Sequence, residues 1–193
     1  MQQASTELDS QQAAAKAQAA VTEEKRKAYE QATAALDAYL KVQSQKYQDP
    51  ARHCSLDFTC PLPSVGRIST YFGEPDAVYN KPHTGADMPA ASGTLIYAVA
   101  DGVVSAASAR PSYGNCVQID HGTADDGSSY ATLYAHMSSF CVSAGQTVHK
   151  GDVIGYVGNT GDVRGATAAT TCIWSCASTA PAPTRCNTSH TER

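Results

Sequence analysis

Apolar side chains are arranged in three successive ways along the 193 residues. In the first stretch Tyr29, Ala32, Leu36, Tyr39 and Leu40 follow i, i+3, i+7, i+10, i+11 spacing, one stripe of a helix. Ala14, Val21, Ala28, Ala35 and Val42 also recur every seven residues, with Glu24 and Gln31 among the partner positions. The pattern predicts a helical segment over residues 1–49, either a solvated single helix or a coiled coil. Asp49-Pro50 ends it, because the proline ring disfavours helical geometry at the residue before it. From residue 50 the period shortens to alternation. Ile96–Val104, Cys116–Asp120, Tyr130–His136 and Val153–Val157 read as short β-strands. After residue 165 the only large apolar side chains are Ile173 and Trp174, too few to offset the entropy of ordering a chain. The expected fold is therefore a mainly β, antiparallel domain over residues 50–165. A long N-terminal α-helix or coiled coil precedes it, and a disordered tail over 166–193 follows.

Composition sharpens these boundaries. Residues 1–49 contain no Gly, Pro or Cys but hold 13 of the 32 charged side chains, and all 14 glycines lie between Gly66 and Gly165. Gly-Asn, Asp-Gly and Gly-Asp pairs separate the strands, as in the turns of an antiparallel sheet. A net charge of −4 argues against a nucleic-acid partner, which usually meets a basic excess. No run of about 18 apolar residues is present, so no membrane span is expected. Met1-Gln2-Gln3-Ala4-Ser5 lacks the apolar region of a signal peptide. Seven cysteines are nonetheless many for a reducing compartment.

The sharpest chemical constellation is His83-Thr84-Gly85-Ala86-Asp87. In extended chain, residues four apart point to one face, so an imidazole and a carboxylate can reach one ion. Both suit zinc. The same spacing also describes a His hydrogen-bonded to a turn carboxylate.

The surroundings extend the constellation. Ile68-Ser69-Thr70-Tyr71-Phe72-Gly73 precedes it and Ile96-Tyr97-Ala98-Val99-Ala100-Asp101-Gly102 follows. Next come Tyr113-Gly114-Asn115-Cys116, Thr132-Leu133-Tyr134-Ala135-His136 and Gly158-Asn159-Thr160-Gly161. In this order, over about residues 62–162, the chain resembles the lysostaphin/LytM-type zinc metallo-endopeptidases, hydrolases of bacterial peptidoglycan. The resemblance implies an enzyme acting outside the cytoplasmic membrane, with one Zn2+ ion held by His83, Asp87 and the second His of a later H-x-H motif. It makes His136 a catalytic imidazole that assists the attacking water. A zinc site with three protein ligands keeps one position open for water, and neighbouring imidazoles move its proton. His121 reads as structural, His149 as a surface residue, and His53 and His190 carry no context.

The H-x-H motif is missing. Thr170-Thr171-Cys172-Ile173-Trp174-Ser175-Cys176 stands where it is expected, and no H-x-H occurs anywhere in the chain. The third ligand and the strand that carries it are thus expected to be lost, with weak zinc binding and impaired activity. Codons for these residues, read from the third base of Thr170, are compatible with His-Leu-His-Leu-Glu-Leu. That points to a frameshift between about Gly161 and Ala168, with an out-of-frame tail. Discarding the tail's Cys172, Cys176 and Cys186 leaves Cys54, Cys60, Cys116 and Cys141. Four cysteines allow three pairings. The favoured one is Cys54–Cys60 as a local clip and Cys116–Cys141 within the sheet. The resemblance also leaves a second class open: a degenerate, non-catalytic domain that activates cell-wall amidases through its helical arm, or self-associates through it.

Overall fold

The computed structural model describes residues 2–47, 49, 51–64, 68–71, 73–75, 83, 85–161, 163 and 170–176. Helix α1 runs from Gln2 to Tyr47. The chain divides into two units, residues 1–37 and 38–193, with the boundary inside α1. In the first unit Arg26 bridges Glu23 at 2.6 Å and Glu30 at 2.7 Å, one turn away on either side. The second unit is mainly β.

Eight strands build its sheet: β1 (Ala86–Ala90), β2 (Leu95–Tyr97), β3 (Gly102–Arg110), β4 (Gly114–Thr123), β5 (Ser129–Phe140), β6 (Thr147–Val148), β7 (Val153–Val157) and β8 (Thr170–Cys176). All the pairings between them are antiparallel, in the order β1-β8-β5-β4-β3-β6, and β7 joins β5 to β2. Ile96, Val99, Val104, Ile119, Met137 and Ile154 are fully buried at the centre of the core. Burial of that kind contributes about 1.5–3 kcal/mol for each large aliphatic side chain.

Strand β5 organises the molecule. One edge lies along β4 for most of its length. The other edge is shared: Thr132–Tyr134 pair with β8, and Met137–Phe140 pair with β7. Between the two partners β5 bulges, so that Ala135 and His136 together oppose the single Cys116. His136 there adopts a left-handed backbone, φ 56°. Such a bulge re-aims a side chain and ends a run of pairing. His136 therefore stands at the fork of the sheet.

Beneath the fork runs a buried polar chain. His121, 1% exposed, lies 2.8 Å from the Asp101 carbonyl through Nδ1 and 2.8 Å from the Thr132 hydroxyl through Nε2. Thr132 Oγ1 lies 3.2 Å from the Tyr134 hydroxyl, which accepts the Val99 N–H at 3.0 Å. Since a carbonyl only accepts, the proton of neutral His121 sits on Nδ1. Both ring nitrogens of His121 are thus engaged within the buried network.

The segment 96–104 is strand, turn and strand, with the turn between Tyr97 and Gly102. Several expectations are corrected. The tail is not wholly irregular, and the strand expected to be lost is present. Backbone bonds to β1 and β5 hold Thr170–Cys176 as an interior strand without help from a rich apolar pattern. Residues 177–193, with Cys186 and His190, lie outside the described residues. Among the described residues no disulfide joins Cys54, Cys60, Cys116 or Cys141. Cys116 is buried on β4 and Cys141 exposed after β5, and the sulfurs donate to different carbonyls, those of Ser108 and Val153, each at 3.3 Å.

Candidate metal and catalytic site

Two flanking segments hold the His83–Asp87 motif by its backbone. Ser69 N–H donates to the Asp87 carbonyl and Asp87 N–H to the Thr70 carbonyl, each at 2.9 Å. Gly73 N–H donates to the His83 carbonyl at 2.8 Å, and His83 N–H to the Glu74 carbonyl at 2.7 Å. The stretch 68–74 thus clasps both ends of the motif, which gives the paired sequence signals of the two segments a common physical cause.

The side chains converge. His83 Nε2 lies 3.3 Å from Asp87 Oδ1, and the two side chains are 12% and 21% exposed. His83 Nδ1 lies 2.7 Å from the Gly85 carbonyl and 3.2 Å from Gly85 N. Gly85 N–H donates to Nδ1 while the Gly85 carbonyl faces the same nitrogen, so these contacts suit either ring tautomer. At 3.3 Å, Nε2 and Oδ1 are held together by a shared positive charge, a proton on the ring or a metal ion. Asp87 Oδ1 is buried and has no hydrogen-bond partner, and such an atom is costly to leave unpaired. Two atoms that each lie about 2.0–2.1 Å from a tetrahedral zinc ion are about 3.3 Å apart. The pair fits two corners of a zinc site.

Among the described residues no group of three or more His, Cys, Asp or Glu side chains is placed to hold a metal ion. In the strand register Asp87 on β1 is directly opposite Ile173 on β8. Cross-strand neighbours have Cβ atoms about 4.5–5.5 Å apart. A hydrocarbon side chain at that position brings no donor atom.

His136 lies on β5, the other neighbour of β8, where Trp174 pairs with both Ala86 and Tyr134. Its Nδ1 donates to the Thr160 carbonyl at 2.8 Å, which leaves the lone pair of the neutral ring on Nε2. Tyr113 stacks on the imidazole at 6.4 Å between centroids and 29° between planes, and its carbonyl accepts the His136 N–H at 2.7 Å. Of the other histidines, His53 pairs with Asp125 at 2.9 Å and His149 with Asp152 at 3.6 Å, all four side chains exposed. Tyr113 and Thr160 lie within the motif stretches, where the sequence alone assigns neither a role. Their contacts to His136 arise only when β4, β5 and the chain after β7 come together.

The sequence profile of peptidase family M23 fits residues 81–172, from just before His83 into β8. The chain carries a peptidase family M23 domain. Peptidoglycan DD-endopeptidase ShyA of Vibrio cholerae is 36% identical to it over 135 residues, 67% of this chain and 30% of that protein. DD-carboxypeptidase/endopeptidase Mpg of Neisseria meningitidis is 42% identical over 98 residues, 49% of this chain and 21% of that protein. The chain thus spans less than a third of the length of these curated relatives. A crystal structure from Pseudomonas aeruginosa assigned to peptidase M23 superposes with a TM-score of 0.54 at 28% identity, covering 72% of this chain and 53% of that one. A zinc-containing peptidase from Vibrio cholerae shares the fold, with a TM-score of 0.50 at 23% identity over 68% of this chain and 37% of that one.

Proposed function

We propose that the M23 domain belongs to a zinc-dependent endopeptidase that hydrolyses peptide cross-links of bacterial peptidoglycan outside the cytoplasmic membrane, and that the present chain is impaired in that reaction. One observation carries the reading: the imidazole Nε2 of His83 and the buried Oδ1 of Asp87 stand 3.3 Å apart in an M23 domain. The names of the peptidoglycan endopeptidase relatives support the substrate class. When bound, zinc supplies Lewis-acid chemistry, polarising a carbonyl and activating water at neutral pH. Within this chain His83 and Asp87 are the two ligands. His136 is the base, its Nε2 able to take a proton while Nδ1 stays bonded to Thr160. The impairment follows from the lack of a donor opposite Asp87.

A frameshift accounts for that lack. In the alternative frame the second His codon takes its last two bases from the first two of Ile173, the residue whose register position faces Asp87. The nucleotide sequence tests this: CAC or CAT triplets in the second frame support it, and their absence removes it. For the function, the assay is release of peptides from purified peptidoglycan, with and without zinc, by a chain with the frame restored. Zinc-dependent release supports the enzyme. The incomplete donor set favours a second reading, a non-catalytic domain that activates amidases through α1, acting as a coiled-coil arm. Stimulation of an amidase without peptide release would select it.

A further inference from the structure

Thr160 follows β7 and reaches the sheet at the fork where His136 sits. Its hydroxyl makes two hydrogen bonds, accepting the Asn115 N–H at 2.9 Å and donating to the Met137 carbonyl at 2.6 Å. Asn115 and Met137 are register partners on β4 and β5, and Met137 directly follows His136. The hydroxyl thus bridges the two strands just beyond the bulge. The rest of the residue faces the imidazole: the Thr160 carbonyl accepts His136 Nδ1–H at 2.8 Å, while Thr160 N–H reaches the His136 carbonyl only at 3.5 Å. Backbone packing closes the arrangement, because a Cβ at Gly114 would overlap the Thr160 carbonyl and Gly114 has a φ of +62°. A side chain is therefore excluded where the Thr160 segment lies against β4.

We infer that Thr160 is a positioning residue for His136. Its hydroxyl pins the backbone whose carbonyl selects the Nδ1–H tautomer, which keeps the Nε2 lone pair for chemistry. The inference rests on the reading of His136 as the base in the proposed function. The hydroxyl is what a positional role needs, since among the described residues, apart from the imidazole's own bond to the Thr160 carbonyl, the other backbone bond from Thr160 to β5, its N–H to the His136 carbonyl, is long. Threonine is also stiff at χ1, so the hydroxyl is held between two fixed partners.

The test is nuclear magnetic resonance of the full 15N-labelled chain, reading the imidazole nitrogens. It needs no catalytic activity, so loss of peptidoglycan hydrolysis and loss of this inference are separate results. The wild type is expected to show His136 protonated on Nδ1 with an unprotonated Nε2. Thr160→Ser keeps the hydroxyl and is expected to reproduce that pattern. Thr160→Val keeps the shape but not the hydroxyl, and is expected to give a mixture of tautomers with faster exchange of the Nδ1 proton. His121, whose Nδ1 also bonds a carbonyl but away from Thr160, serves as the internal control for an intact fold. A wild-type His136 protonated on Nε2 would overturn the inference. So would a Thr160→Val chain with an unchanged His136, or a Thr160→Ser chain that loses the pattern while His121 keeps its own. If Thr160→Val disturbs His121 as well, the wild type and Thr160→Ser decide.

Discussion

Replacing Ile173 with histidine places an imidazole at the register position opposite Asp87. At that position the cross-strand separation of about 4.5–5.5 Å between Cβ atoms is short enough for both side chains to meet one ion. The other two donors already stand 3.3 Å apart, so a third adds coordination without moving them. Structural zinc sites with four ligands bind with about 10–16 kcal/mol, or about 2.5–4 kcal/mol per ligand. At about 1.4 kcal/mol per decade, Ile173→His should tighten zinc binding about 10²–10³-fold. Competition for zinc against a chromophoric chelator at pH 7.5 measures this, with the native chain, Ile173→His and Ile173→His/Asp87→Ala side by side. The double substitution should return affinity to or below that of the native chain. A gain under tenfold refutes the placement of position 173 as the third corner. An equal gain in the Asp87→Ala background refutes the sharing of one ion with Asp87.

Three further outcomes follow from the structure. Burial holds the His121 pKa below its ordinary value near 6.5 in the folded chain, so its stabilising contribution is complete above that value and falls as pH drops toward the folded pKa. Urea unfolding between pH 7.5 and 5.5 should therefore show a loss of stability of at most about 1.4 kcal/mol per pH unit for this one proton. His121→Gln should flatten the slope, and an unchanged slope would exclude His121 as its source. A thiol reagent added to the native chain should label exposed Cys141 first and Cys116 only after unfolding, since burial pushes the Cys116 thiol up to about 11. Recovery of a Cys116–Cys141 disulfide by peptide mapping of the native protein would contradict the free-thiol arrangement. Finally, a Cβ at Gly158 would overlap Ser138 N and Cα, backbone atoms that cannot swing aside. Gly158→Ala should cost about 3 kcal/mol, the upper end of overpacking, and lower the melting temperature by about 6–12 °C. A shift below about 2 °C would refute the contact.

The legible parts of this molecule are those set by local pattern. Alternation located β4, β5 and β7, and the i, i+3, i+7 stripe located α1. The His83–Asp87 pair was legible because an extended strand puts residues four apart on one face. Long-range pairing wrote no such signal. Strand β8 has an Ala- and Thr-rich surround that reads as tail, and it is held by ladders to β1 and β5 that are 80 and 40 residues away in sequence. The break between β2 and β3 is implied by the family resemblance and not by the apolar pattern, because Ala98, Val99 and Ala100 are buried apolar residues in a turn. The cysteine pairing failed for a similar reason: an even count says nothing of which way each sulfur points. Thr160 escaped because its partners, Asn115, His136 and Met137, come from two other strands.

The central claim is that His83, Asp87 and His136 are the surviving part of a peptidoglycan endopeptidase site whose missing groups belong on β8. The direct measurement is release of soluble peptides from purified peptidoglycan by the Thr171→His/Ile173→His chain, beside the native chain and a Thr171→His/Ile173→His/His83→Ala control. The account predicts zinc-dependent, chelator-sensitive release by the double variant, at least a hundredfold above both others. A double variant that binds zinc tightly and folds, yet releases no more peptide than its His83→Ala control, would contradict it.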